Sequence, residues 1–84
     1  MVLTMSQFHR DAVAALLAND WHGAHKIVMQ HNDPLACWIH AVLHKMQGDA
    51  ENSRYWYARS AYGYTEFQDT REELQAIQTA ALQE

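Results

Sequence analysis

The strongest constraint on the fold of this chain is how few of its residues can interrupt a helix. Its 84 residues include one proline and three glycines. The clearest stop is Asn32-Asp33-Pro34, because the aspartate can cap a helix and proline is tolerated in a first helical turn. Asn19-Asp20 and Gly48-Asp49 are two further turn signals. The long stretches between these turns predict an all-α chain.

Apolar residues recur at helical spacing between the turns and predict about five helices in antiparallel pairs. The first runs from a cap at Ser6 to Ala18, the second from Trp21 to about His31, the third from Pro34 to Gln47, the fourth from about Ala50 to Tyr62, and the last begins at Thr65. The acidic residues of the last helix predict a solvated face. The length, 84 residues, allows a single helical domain, residues 1–84, with one modest core.

Composition and charge narrow the function classes. A hydrophobic fraction of 49% with 19% charged residues is typical of a folded globular chain. Residues 1–65 carry five Lys/Arg against five Asp/Glu, so the net charge of −4 lies in residues 66–84. A body without excess cations argues against a nucleic-acid partner, since phosphate binding needs clustered Lys and Arg.

The sequence carries few features that indicate a cellular compartment. The single cysteine, Cys37, rules out an intrachain disulfide and fits a reducing cytoplasm. The N-terminus MVLTMSQFHR has no basic region followed by an apolar run, so we expect no signal peptide. No stretch of eighteen apolar residues is present, and we therefore expect no membrane span. The sequence predicts a cytoplasmic protein.

One segment resembles a known repeat family. Gly48-Asp49-Ala50-Glu51-Asn52, followed by Tyr55-Trp56-Tyr57-Ala58-Arg59, is similar to the second helix of tetratricopeptide or Sel1-like repeats. The turns at Asn19-Asp20 and Gly48-Asp49 lie twenty-nine residues apart, close to the length of such a repeat. The resemblance implies stacked helical pairs, a protein-interaction role and no catalysis. A compact helical bundle remains the alternative fold.

A wider pattern resembles a group of small bacterial helical proteins of unassigned function. It consists of Asp20-Trp21, Ala24-His25, Gln30, Trp38-x-His40-Ala41, Leu43-His44, Gly48-Asp49, Asn52 and Tyr55-Trp56-Tyr57-x-Arg59. This resemblance implies no mechanism. It does direct attention to the polar members of the pattern, which are His25, His40, His44, Asp49, Asn52 and Arg59.

Two histidines of the third helix are spaced as metal ligands can be. His40 and His44 stand one turn apart, opposite the apolar face, and Cys37 lies a turn before His40. A four-ligand zinc site would also need His22 and His25 of the second helix to converge with them. The glutamate of His-Glu-x-x-His is missing, so a zincin-type hydrolase is not indicated. The alternative is that these histidines are solvated or hydrogen-bonded.

The other candidate functional groups are the Cys37 thiol and a surface of aromatic residues. Cys37 beside His40 suggests a nucleophile, but the sequence shows no orienting acid, so we assign no catalytic residue and leave enzymatic activity open. Arginine and tyrosine together favour interfaces, so Tyr55, Arg59 and Tyr62 are candidates for a contact surface. Alternatively, the aromatic residues could form a ligand pocket in which Asn52 and Arg59 orient the ligand. Trp38, Trp56 and Tyr57 are expected to be mostly core.

Two functions follow from these patterns. The first is a small cytoplasmic interaction or adaptor module without a cofactor, which binds a protein partner or forms a homodimer. The second is a metal-binding or small-ligand-binding protein, or an enzyme, with its site between the second, third and fourth helices. That site would use His25, His40 and His44, with a divalent metal such as zinc.

Overall fold

Five α-helices make up the fold in the computed structural model, which describes residues 7–83. They are α1 (Gln7–Leu17), α2 (Trp21–Val28), α3 (Pro34–Gln47), α4 (Ala50–Tyr57) and α5 (Thr70–Leu82). Residues 7–83 contain no strand. The all-α prediction is therefore confirmed, whereas the predicted cap at Ser6 lies outside the described residues.

Aspartates begin four of the helices. Asp20, Asp33, Asp49 and Asp69 each accept a hydrogen bond from a backbone N–H in the first turn of α2, α3, α4 and α5. Such a side chain satisfies one of the amides that has no partner within the helix. The sequence predicts the first three as turn or capping residues. It does not predict the fourth, Asp69, because it places the start of the last helix at Thr65.

The α1–α2 and α3–α4 turns share one geometry. Asn19 and Gly48 both adopt positive φ, 62° and 86° respectively. The next residue in each turn donates its N–H to a carbonyl five residues earlier, Asp20 to Ala15 over 2.8 Å and Asp49 to His44 over 2.9 Å. This is the bonding of a helix that ends in a left-handed residue. The two hairpins thus have equivalent turns, as the sequence spacing indicated.

Helix α4 ends at Tyr57, five residues before the predicted end at Tyr62, because a serine hydroxyl competes with the helical backbone. The Ser60 hydroxyl donates to the Tyr57 carbonyl over 2.8 Å and accepts from the Tyr62 N–H over 3.0 Å. Serine favours helix ends through such local bonds. The chain turns there, and the Tyr62 ring stacks on Trp38 with centroids 3.8 Å apart.

The segment 58–69 is a connection packed on the core, so the predicted helix start at Thr65 is wrong. Tyr62, Tyr64 and Phe67 contact the buried core from this connection. The Phe67 carbonyl accepts a hydrogen bond from the Lys45 ammonium over 2.9 Å, which fixes the connection to α3. Similarly, α2 ends at Val28 before the predicted end near His31, which lies in the following turn and stacks on Phe8 at 3.6 Å.

Helix α3 is the centre of the bundle and contacts each of the other four helices. All ten residues from Leu35 to His44 are buried. The first helix also packs against the last, which closes the arrangement into a compact bundle rather than an open stack. Because α3 is surrounded, the predicted division into a core face and an outer face does not hold: Cys37, His40 and His44, opposite the apolar stripe, are buried too.

One predicted solvated residue lies in the core. Glu73 of α5 is 1% exposed, whereas its neighbour Glu72 is exposed. The Glu73 carboxylate accepts from Trp38 Nε1 over 2.9 Å, from the Tyr57 hydroxyl over 2.5 Å and from the Lys45 ammonium over 3.0 Å. The expectation of a fully solvated acidic face is therefore wrong at Glu73. Its three partners compensate for the cost of burying a charge.

No helix within residues 7–83 is both long enough and apolar enough to cross a membrane.

Candidate functional site

Three histidines from two helices meet on one side of α3. His40 and His44 lie one turn apart on α3, and His25 of α2 faces both of them. Trp21 fixes α2 in this position, because its Nε1–H donates to the Leu43 carbonyl over 2.7 Å. We call His25, His40 and His44 the histidine cluster.

The rings of the histidine cluster are mutually close. The His25 centroid is 4.8 Å from that of His40 and 5.3 Å from that of His44, and both pairs meet edge to face. The ring centroids of His40 and His44 are 5.1 Å apart, and the two ring planes are inclined by 27°. One ring nitrogen from each residue lies within 4.8 Å of the other two. The convergence that a site between α2 and α3 requires is therefore present.

Two tryptophans flank the histidine cluster. Trp21 stacks on His25 with centroids 4.8 Å apart, and Trp56 of α4 stacks on His40 at 4.0 Å. Trp21 also meets His44 edge-on at 5.7 Å. The three imidazoles thus lie between indole rings contributed by α2 and α4, which replace water on both sides with apolar surface.

Burial keeps two members of the cluster, His25 and His40, neutral. His40 and His44 are 4% and 7% exposed, and His25 is half-buried. Burial, reinforced by the two neighbouring histidines, lowers the pKa of His40 to about 4. Burial and the proximity of His44 also lower the pKa of His25 below its usual range. Desolvation disfavours the charged imidazolium, so His25 and His40 are neutral at pH 7.

The hydrogen bonds of the cluster are incomplete. His44 Nδ1 lies 3.2 Å from Gln47 Oε1, and since an amide oxygen only accepts, Nδ1 is the donor, which leaves the lone pair of a neutral His44 ring on Nε2. His40 Nδ1 is buried and has no hydrogen-bond partner among residues 7–83. A buried polar atom without a hydrogen-bond partner in the protein is uncommon in folded proteins.

Two predicted ligands do not join the cluster. Cys37 is completely buried and, of the described residues, only the three histidines form a group of this kind. Burial and the nearby Asp33 carboxylate raise the pKa of the Cys37 thiol, which opposes the nucleophile interpretation. His22 is exposed and meets Trp21 edge-on at 5.4 Å. The four-ligand arrangement considered from the sequence is thus reduced to three histidines.

The residues predicted for an interaction surface are placed differently from one another. Tyr55 is 50% exposed, and the Arg59 guanidinium lies 3.9 Å from its ring centroid. Asn52 is exposed beside Tyr55, in a shallow hollow on α4, and its backbone N–H is capped by Asp49. Tyr62 is half-buried on Trp38, so it packs mainly against the core.

Sequence reasoning missed three residues that complete the cluster. The sequence does not predict a contact of Trp21 with the histidines, although Trp21 stands one turn before His25. Gln47 follows His44 by three residues, the spacing at which side chains meet on a helix, and this signal was available. Trp56 has no such local signal, because its contact with His40 depends on how α4 packs against α3.

The convergence of the three imidazoles fits one kind of chemistry in particular. Their ring nitrogens can donate lone pairs to a single cation, and the cluster contains no carboxylate or thiolate. Comparisons with protein families, with curated proteins and with solved structures give no match to this chain.

Proposed function

We propose that this protein binds one divalent transition-metal ion, Zn²⁺ first among them, through His25, His40 and His44. The observation that carries the proposal is the convergence of three imidazole nitrogens within 4.8 Å, contributed by two helices. Imidazole is the commonest metal ligand among side chains, and sets of three histidines are an established zinc-binding arrangement.

The donor set selects the class of metal. Imidazole nitrogen suits zinc, copper and nickel, whereas calcium and magnesium require oxygen ligands. None of the described carboxylates belongs to the cluster, and neither does the Cys37 thiol. Hard cations and thiolate-dependent metal centres are therefore disfavoured by the ligands themselves.

The distances require a small adjustment on binding. Zinc–nitrogen bonds of 2.0–2.1 Å in a tetrahedron place two ligand nitrogens about 3.3 Å apart. From a separation of at most 4.8 Å, the nitrogens have to approach one another by up to about 1.5 Å. Rotation of the imidazole rings and of the half-buried His25 side chain can supply a displacement of this size without moving a helix.

The protonation state and the unpaired nitrogen also support metal binding. A histidine must be neutral to coordinate a metal, and the pKa of His40, about 4, means that no proton has to be displaced from it at pH 7. The His44–Gln47 contact leaves His44 Nε2 available as a ligand. Binding near His40 would also supply the polar environment that its Nδ1 atom lacks.

Zinc titration of tag-free protein tests the proposal. We expect one ion per chain by calorimetry, and a change in the fluorescence of Trp21 and Trp56, which stack on the ligands. Free zinc at one hundred times its dissociation constant should add about 2.7 kcal/mol to the free energy of unfolding. That corresponds to a rise of roughly 10–20 °C in Tm for a domain of this size.

Histidine variants give the matched control. His40→Ala and His25→Ala should each weaken zinc binding by at least about 100-fold, since even substitutions behind the ligands cost 10–100-fold. His22→Ala, at an exposed position on the same helix as His25, should leave the affinity unchanged. Absence of stoichiometric metal, or equal losses in His22→Ala and His25→Ala, would contradict the proposal. Thermal unfolding of the metal-free variants shows whether each is folded.

A protein-interaction surface on α4 is the second candidate function. It is favoured by the exposed Tyr55 ring with Arg59 stacked on it, a pairing of residue types common at interfaces. The occupant would be a protein partner or a second copy of this chain. Sedimentation equilibrium of the wild type and Tyr55→Ala tests the homodimer: a dimer that persists unchanged in the variant would exclude this surface.

A further inference from the structure

We propose further that a metal ion in the histidine cluster keeps one coordination position open, and that this position binds a small monovalent anion. The inference rests on the proposed metal binding and names the class of ligand that the same site takes. It follows from the number of ligands, from their charge and from the exposure of the site.

The cluster supplies one ligand fewer than a closed site needs. Closed structural zinc sites have four protein ligands, whereas sites with three leave a position for water or an exogenous ligand. His25, His40 and His44 are the one group of convergent ligand side chains among residues 7–83. His22, the nearest further histidine in sequence on α2, is exposed and is not a member.

The charge of the ligands leaves the metal uncompensated. Three neutral imidazoles give a bound divalent ion a net charge of +2, and no described carboxylate belongs to the cluster to offset it. The indole rings of Trp21 and Trp56 exclude water from the flanks, so the charge is poorly solvated there. An anion that coordinates directly is the ligand that reduces this charge most effectively.

Access and space limit the size of the anion. His25 is the half-buried member of the cluster, whereas His40 and His44 are buried, so solvent reaches the site at His25. The rings around the site contact one another directly, with centroids 4.0 to 5.7 Å apart, so they leave little free space beside the cluster. A site confined in this way favours an anion of a few atoms over a bulky organic acid.

Cobalt-substituted protein tests the inference, with azide as the probe. Co²⁺ replaces Zn²⁺ in histidine sites, and its visible absorption reports coordination number and exchange of a ligand. We expect azide to change that absorption saturably, with one azide per cobalt. His22→Ala should give the same cobalt spectrum and the same azide affinity as the wild type, because His22 is not a ligand.

A charge variant isolates the electrostatic part of the argument. His25→Asp replaces a neutral ligand by an anionic one and so lowers the net charge of the metal site. This variant should bind azide about tenfold or more weakly than the wild type, which is a loss of at least about 1.4 kcal/mol in binding free energy. If that variant does not take up cobalt, the comparison of wild type with His22→Ala still decides the question.

The outcomes separate the two proposals. Cobalt that binds at one per chain, with a spectrum that excess azide leaves unchanged, overturns the open position and leaves metal binding intact. A cobalt spectrum altered by His22→Ala also overturns it, because His22 is then the fourth ligand. A protein that binds neither cobalt nor zinc overturns the proposed function itself.

Discussion

Replacement of the buried Glu73 by alanine should remove a large part of the stability of this fold. The carboxylate accepts hydrogen bonds from Trp38 and Lys45 of α3 and from Tyr57 of α4, and it is 1% exposed. Its loss leaves a lysine that is 20% exposed without its ion-pair partner and two buried donors without an acceptor. The three helices that meet at Glu73 would lose their common polar contact.

The magnitude follows from the burial of the pair. Removing one partner of a buried ion pair costs about 3–5 kcal/mol, because the remaining charge is uncompensated. At 0.05–0.15 kcal/mol per residue, a chain of this length has a free energy of unfolding of about 4–13 kcal/mol. Glu73→Ala should therefore lose about a quarter of the total or more. Glu73→Gln keeps an acceptor oxygen and the side-chain volume, so its loss should be smaller.

Urea unfolding, followed by circular dichroism at pH 7 without metal, measures the effect. Glu72→Ala is the matched control, because Glu72 occupies the same helical turn but is exposed. The control should cost no more than about 1 kcal/mol through the helix dipole. Glu73→Ala should also lower Tm by more than about 10 °C. A loss below about 1 kcal/mol, equal to the control, would refute the argument that the buried network stabilises the bundle.

Three further predictions concern the cluster and the turns. In metal-free protein, His40 should titrate near pH 4 by NMR, because burial lowers its pKa from the ordinary 6.5 to about 4. Between these pH values the unfolded chain binds more protons at His40 than the folded chain does. The contribution of His40 to the free energy of unfolding should therefore fall by about 3 kcal/mol from pH 6.5 to pH 4 and stay flat above pH 6.5. Gly48→Ala, at φ 86°, should cost about 1–2 kcal/mol in urea unfolding, while Gly63→Ala costs little. Trp21→Phe removes the hydrogen bond to Leu43 and should lose about 1 kcal/mol.

The helical turns could be predicted because their signals are local. Pro34 and Gly48 act through their own backbone geometry, and an aspartate before a helix bonds to an amide only a few residues away. The boundaries of α3 at Pro34 and Gln47 were therefore predicted correctly. The end of α4 was missed because Ser60, rather than a glycine or proline, terminates it through its side-chain hydrogen bonds.

The candidate site was partly predictable for the same reason. His40 and His44 share a helix, so their proximity follows from a separation of four residues. His25 was named as a third member, but its approach to them depends on the packing of α2 against α3, which no local pattern encodes. The loss of Cys37 and His22 from the ligand set also follows from packing, since one is enclosed by the bundle and the other faces solvent.

The sequence by itself determined an all-α chain, the positions of its principal turns and the pairing of His40 with His44, because these depend on interactions over a few residues. The tertiary structure decided that α3 is central, that Glu73 is buried among three donors and that His25 completes a cluster between Trp21 and Trp56. Those outcomes depend on which helix faces meet. The burial of a residue is set by partners that are distant in the chain. Trp38, for example, donates a hydrogen bond to Glu73, and His40 stacks on Trp56.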